Sequence, residues 1–103
     1  MLTVIETPEF LAWYPQVWSS VERDGFVAWI AKNPDAGDVI PQTNGLRKVR
    51  FSRQGMGKRG GARVIYYLRR PQGQVVLLLV YAKAKFDNLR PEFLLKLKEQ
   101  YND

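Results

Sequence analysis

A chain of 103 residues, 46% hydrophobic and 13% aromatic, is sized for one small domain with one core (residues 1–103), and its composition excludes disorder. With no cysteine and no histidine it has no disulfide, no thiolate metal site and no side chain of ordinary pKa near 7 for acid–base work. The formal +6 is unevenly spread: residues 39–86 carry eleven Lys or Arg and no Asp or Glu, whereas the other 55 residues hold five basic and ten acidic side chains.

In chain order, Thr3-Val4-Ile5 reads as a short first strand. Thr7-Pro8 opens a helix, with Thr7 as N-cap and Pro8 at the first helical position, where a missing N–H does no harm. Phe10, Leu11, Tyr14 and Trp18 share one helical face, and Pro15 ends or kinks that helix. Ser19-x-x-Glu22 is a capping-box pattern that starts a second helix carrying Val21, Phe26, Trp29 and Ile30 and stopping at Asn33-Pro34. Trp13, Trp18 and Trp29 lie at helical positions and read as core. Asp35 to Gly45 reads as a loop.

Three strands follow, over Leu46–Arg53, Ala62–Arg69 and Gln74–Tyr81. The continuous apolar run of the third suits a strand buried on both faces. Pro71-Gln72-Gly73 makes the last two a hairpin, and Tyr66 and Tyr67, on alternate faces, place one ring in the core. A final helix begins near Pro91, with Phe93, Leu94, Leu97 and Tyr101 on one side. The expected fold is α+β: a small, mostly antiparallel sheet packed with two N-terminal helices and one C-terminal helix. The longest apolar stretch, Val75 to Ala82, is eight residues, against roughly 20 for a membrane span. The first ten residues lack the pattern of a signal peptide, and the expected location is the cytoplasm, with no membrane partner.

A block this one-sided cannot neutralise itself and calls for an external polyanion or an acidic protein. Strand parity sharpens it. Val49 and Phe51 point one way, Lys48 and Arg50 the other; Tyr81 shares a face with Lys83, and Arg63 joins them if the register allows. Such a face would bind a phosphate backbone, with Tyr81 stacking on a base. For any single lysine, a solvated strand position is the simpler reading; for a whole set without one acid, binding is. The segment Gln54–Gly61 contains a literal G-x-G-x-x-G, but a strand follows it where a dinucleotide site needs a helix. It reads as a glycine-rich connection presenting Lys58 and Arg59, either a plain hairpin loop or an arm that closes over RNA.

RNA cleavage is chemically open to such a set. Attack of a 2′-hydroxyl on its own phosphate puts negative charge on a pentavalent phosphorus, which Arg and Lys stabilise. A Lys crowded by other cations has its pKa lowered and becomes able to act as a base.

Four segments together resemble a known family: Asn33-Pro-Asp-Ala-Gly-Asp-Val-Ile-Pro, Gly45-Leu-Arg-Lys-Val-Arg-Phe, Gly57-Lys-Arg-Gly-Gly-Ala-Arg-Val-Ile-Tyr-Tyr and Tyr81-Ala-Lys-Ala-Lys. They look like the RelE/HigB-like toxins of type II toxin–antitoxin systems, nearest to the HigB subgroup often described as phage-derived addiction-module toxins. The resemblance covers about residues 1–101. It implies the compact RelE-like fold and a ribosome-dependent endoribonuclease that cleaves mRNA in the A site and stops translation, with no metal and no cofactor. By position it implies Lys48 and Arg50 as the pair on the scissile nucleotide and Arg63 as the stabiliser of the charged phosphate. Lys83 would be an acid or phosphate clamp. Arg53, Lys58, Arg59, Tyr81 and Lys85 would contact RNA. The best-studied branch has a Tyr a few residues after the last-strand basic pair; Leu89 stands there in this chain, which leaves the general base unassigned. The implied partners are the ribosome with its mRNA and a cognate antitoxin, usually a helix-turn-helix protein, through which alone operator DNA would be bound.

Two other functions fit the same residues. A ParE-like gyrase poison shares the fold but has no need of the set at Lys48, Arg50, Arg63 and Lys83. A non-catalytic RNA-binding or partner-binding module would bind RNA in a salt-sensitive way without cutting it.

Overall fold

A computed structural model of the chain describes residues 1–51, 61–82 and 89–101. Its elements are β1 (Thr3–Glu6), α1 (Pro8–Trp13), α2 (Ser20–Lys32), β2 (Asp38–Val39), β3 (Arg47–Phe51), β4 (Ala62–Arg69), β5 (Gln74–Ala82) and α3 (Pro91–Glu99). Five strands form one sheet in the order β1-β5-β4-β3-β2, in which only the β1–β5 pair is parallel.

Local chemistry sets the helix starts. The Thr7 hydroxyl accepts from the Phe10 N–H at 3.2 Å and donates to the Leu77 carbonyl at 2.7 Å, so one buried side chain caps α1 and ties it to β5. Ser19 and Glu22 form the expected reciprocal box: Ser19 Oγ accepts from Glu22 N–H at 3.2 Å, and Glu22 Oε1 from Ser19 N–H at 2.9 Å. Pro15 cannot continue α1, which ends at Trp13 and passes into a 3₁₀ turn over Tyr14–Gln16. A second 3₁₀ turn, Arg70–Gln72, joins β4 to β5 and closes on Gly73, whose φ of 66° suits a residue without Cβ.

The sheet has a core on each side. On one, Phe10, Trp18, Phe26 and Ile30 of the N-terminal helical layer cover Val49, Val64, Tyr66, Leu77 and Val80. There Trp18, Phe26 and Trp29 surround Phe51, with centroids 6.0, 5.1 and 5.3 Å away. On the other, Leu94 and Leu97 of α3 cover Ile65, Tyr67, Leu78, Leu79 and Tyr81. β5 lies between the two and is buried over seven consecutive residues, as its unbroken apolar run predicts.

The pairing of β4 with β5 shifts between Ile65↔Leu79 and Tyr66↔Leu77, leaving Leu78 as an extra residue. Parity in β5 therefore inverts: Val75 and Leu77 face α1 and α2, but Leu79 and Tyr81 face α3.

Several sequence expectations need correction. Asp35–Gly45 is not wholly loop: Asp38–Val39 pairs with β3 as a two-residue edge strand, too short to show a periodic signal. Tyr66 and Tyr67 are both buried, one in each core, because both faces of the sheet are covered. Leu11, Val21 and Phe93 share helices with core residues but are 41%, 64% and 48% exposed, since each helix buries only a narrow stripe. The glycine-rich connection with Arg53, Lys58 and Arg59, and the positions Lys83 and Lys85, lie outside the described residues.

Candidate nucleic-acid interface

The register brings Arg50, Arg63 and Tyr81 into one row across three strands, through the pairs Arg50↔Arg63 and Arg63↔Tyr81. Lys48, two residues before Arg50, points to the same face and pairs with Ile65. Arg50 and Arg63 are thus direct cross-strand partners, whose Cβ atoms in such a pair lie about 4.5–5.5 Å apart. Like charges placed so repel each other, and a bound anion removes that cost.

The six described cations of the acid-free block fall into two sets. Arg47, Arg69 and Arg70 are engaged. Arg47 donates to the Gly37 carbonyl at 2.8 Å and pairs with Asp35 at 3.4 Å; Arg70 meets the same carboxylate at 2.5 Å. Arg69 donates to the Tyr67 hydroxyl at 3.0 Å and to the Tyr101 carbonyl, with its guanidinium over the Tyr67 ring. By contrast, no ion pair joins Lys48, Arg50 or Arg63 to any carboxylate among the described residues. Lys48 and Arg63 are half-buried and Arg50 is exposed.

The acid-free block ends one residue short of the site's border, because Asp38 stands directly across from Lys48 in the β2–β3 ladder. An edge-strand carboxylate thus stands across from Lys48, whereas the ladder partners of Arg50 and Arg63 include no carboxylate. Strand pairing alone produces this neighbour, and the spacing of Asp38 and Lys48 in sequence gives no sign of it.

Tyr81 takes its expected place but not its expected task. At 3% exposure its ring is packed against the core under α3 and offers no face for stacking on a base. Burial pushes its phenol pKa up, against the opposing pull of the Arg63 charge, so the hydroxyl stays protonated at neutral pH. It is a donor there and not a base. Arg50 and Arg63 are permanent cations without an acceptor, suited to holding phosphate oxygens and not to taking a proton.

The segment beside the row is held by Tyr66. Its hydroxyl accepts from Gly37 N–H at 2.8 Å and donates to the Pro34 carbonyl at 2.7 Å. A Cβ on Gly37 would meet that oxygen at 2.8 Å and the Lys48 carbonyl at 3.0 Å, so only glycine allows this approach. Buried Tyr66 thus fixes the chain that delivers β2, Ile40 and Pro41 to the edge of the site.

Among solved structures the chain is similar to a form of the E. coli toxin RelE carrying two arginine-to-alanine substitutions, in its free state. The TM-score is 0.59, with 13% sequence identity over 84% of this chain and 87% of that one. This chain has a RelE-like fold. No protein-family profile matches it. At 13% identity the likeness carries the fold alone, and the charge row is a feature of this chain's own residues. No helix among the described residues is long and apolar enough to cross a membrane.

Proposed function

We propose that this chain is the toxin of a type II toxin–antitoxin system, of the HigB-like subgroup, acting in the cytoplasm as a ribosome-dependent endoribonuclease on mRNA in the A site. The observation that carries the reading is the Arg50–Arg63 pair, two cations set directly opposite each other on a RelE-like sheet without a carboxylate partner among the described residues. In the proposed reaction the RNA 2′-hydroxyl passes its proton to a base and its oxygen bonds to the adjacent phosphorus, while the P–O5′ bond breaks and the 5′-oxygen leaves after taking up a proton. Arg50 and Arg63 hold the non-bridging oxygens and stabilise the charge that grows on them. Lys48 contacts the scissile nucleotide from the same face, and Lys83 completes the set as an acid or phosphate clamp. Arg53, Lys58, Arg59 and Lys85 extend the contact along the RNA. A cognate antitoxin with acidic side chains would silence the protein by covering this face.

The test is to map mRNA ends in cells after brief induction of the wild type and of Arg63→Ala. New ends within translated frames, lost in the variant and lost when translation is blocked, are the expected result. Growth arrest with intact mRNA would sink the nuclease reading and point to gyrase. Intact mRNA without arrest would leave a binding module.

A further inference from the structure

The proposed chemistry needs an acceptor for the 2′-hydroxyl proton, and the described cations of the row do not supply one. Arg50 and Arg63 are donors only, and Tyr81 stays protonated with its ring buried. A lysine acts as a base where other cations crowd it, but the β2 partner of Lys48 is the carboxylate of Asp38. Asp38 itself lies on the face of the row. Directly opposed residues of an antiparallel ladder share a face, which sets it beside Lys48. The preceding residue fixes the same side: a Cβ on Gly37 would meet the hydroxyl of Tyr66, a member of the core under α2, so Asp38 points the other way. Asp38 is exposed, and no ion pair engages it among the described residues.

We propose that Asp38 is the general base of the RNA cleavage and takes the proton of the 2′-hydroxyl beside the phosphate that Arg50 and Arg63 hold. The inference rests on the proposed nuclease reading and supplies the group that this reading leaves unnamed. Elimination is the first argument. Off the helices, the other described carboxylates are Glu6, paired with Arg23, and Asp35, paired with Arg47 and Arg70. On α3, which packs on the same side of the sheet, Glu92 and Glu99 each stand two positions, about 200° round the helix, from buried Leu94 and Leu97 and so point away from the sheet. Position is the second. Asp38 is diagonal to Arg50 across β2 and β3, and such positions lie about 7–8 Å apart, which leaves room for a ribose between the carboxylate and the phosphate on the arginine. Chemistry is the third: an ionised carboxylate is an acceptor and takes a proton within hydrogen-bond reach. In the step, the Asp38 carboxylate takes the hydroxyl proton as the 2′-oxygen bonds to phosphorus. The P–O5′ bond breaks, and the 5′-oxygen leaves with a proton drawn from water. The products are a 2′,3′-cyclic phosphate and a 5′-hydroxyl, and Asp38 returns its proton to solvent.

The test uses the purified full chain on ribosomes programmed with one defined mRNA, and measures single-turnover cutting separately from binding to the programmed ribosome. The wild type is compared with Asp38→Asn, which keeps the shape and removes the base, and with Asp38→Glu, which keeps the carboxylate. Circular dichroism and thermal melts of all three should coincide, because Asp38 is exposed and outside any ion pair among the described residues. Asp38→Asn should cut about 10²–10⁴-fold more slowly, the usual worth of a general base, with binding unchanged. Asp38→Glu should recover part of the lost rate. Cutting by Asp38→Asn at the wild-type rate would overturn the assignment and leave the nuclease reading standing. So would a loss of rate matched by a loss of binding, or a Glu variant as slow as the Asn variant. Absence of any cut by the wild type would overturn the nuclease reading, and the role of Asp38 with it.

Discussion

Arg50 and Arg63 face each other across β3 and β4 at a cost to the fold, since like charges directly opposite in a sheet are destabilising. Arg63→Gln should therefore raise stability to urea by about 0.2–1 kcal/mol while abolishing mRNA cleavage. Equilibrium unfolding beside end mapping checks this, and a variant both inactive and less stable would mean that Arg63 serves the fold. Tyr66 is the opposite case, a residue whose polar atom serves structure. Tyr66→Phe leaves the buried Gly37 N–H and the Pro34 carbonyl without their partner and should cost about 1–3 kcal/mol in the same measurement. The two residues differ little in sequence terms, both being large side chains on a strand. Only their neighbours separate them.

At the scale of elements, the helix ends were legible because they depend on residues within one turn: Thr7-Pro8, Ser19-x-x-Glu22 and Asn33-Pro34 each mark a boundary that the structure keeps. Gly25 is a weakness inside such an element. It is exposed in mid-α2, and a Cβ built there meets nothing within 4 Å. Gly25→Ala should stabilise the protein by about 1 kcal/mol, read as a higher unfolding midpoint with activity unchanged. β2 was not legible, since two residues cannot display a period, and its place depends on β3 and on the Tyr66 hydroxyl. Val21 and Phe93 are exposed against expectation for a related reason. Apolar spacing marks a helix face, but the partner surface decides how much of that face is covered.

For the whole molecule, the division of charge between a basic block and an acidic remainder is a property of the chain and predicts its class of partner. Folding then sorts the block: Arg47, Arg69 and Arg70 tie the far end of the sheet together, whereas Lys48, Arg50 and Arg63 face outward as a set. The two cores also set the response to alkali. Burial raises the phenol pKa of both Tyr66 and Tyr81 above its ordinary value near 10. The fold thus favours the neutral phenols, and their contribution is complete below that value and lost as pH rises through the raised one. The melting temperature should fall as pH climbs past about 10. Tyr81→Phe should lessen that alkaline fall and leave the neutral range unaffected by the lost titration, a result that thermal melts from pH 7 to 11 would check.

The helix boundaries, the two-sided burial of β5 and the cationic character of one strand face were determined by the sequence itself. Caps, proline, apolar runs and period-two alternation act within a few residues. The meeting of Arg50 with Arg63, of Asp38 with Lys48, and of Tyr81 with Arg63 was decided only by tertiary structure. Register is a relation between strands far apart in the chain, and the extra residue Leu78 turns Tyr81 from the α2 side to the α3 side. No local signal reports that inversion, because a bulge in an all-apolar strand exchanges one buried aliphatic side chain for another.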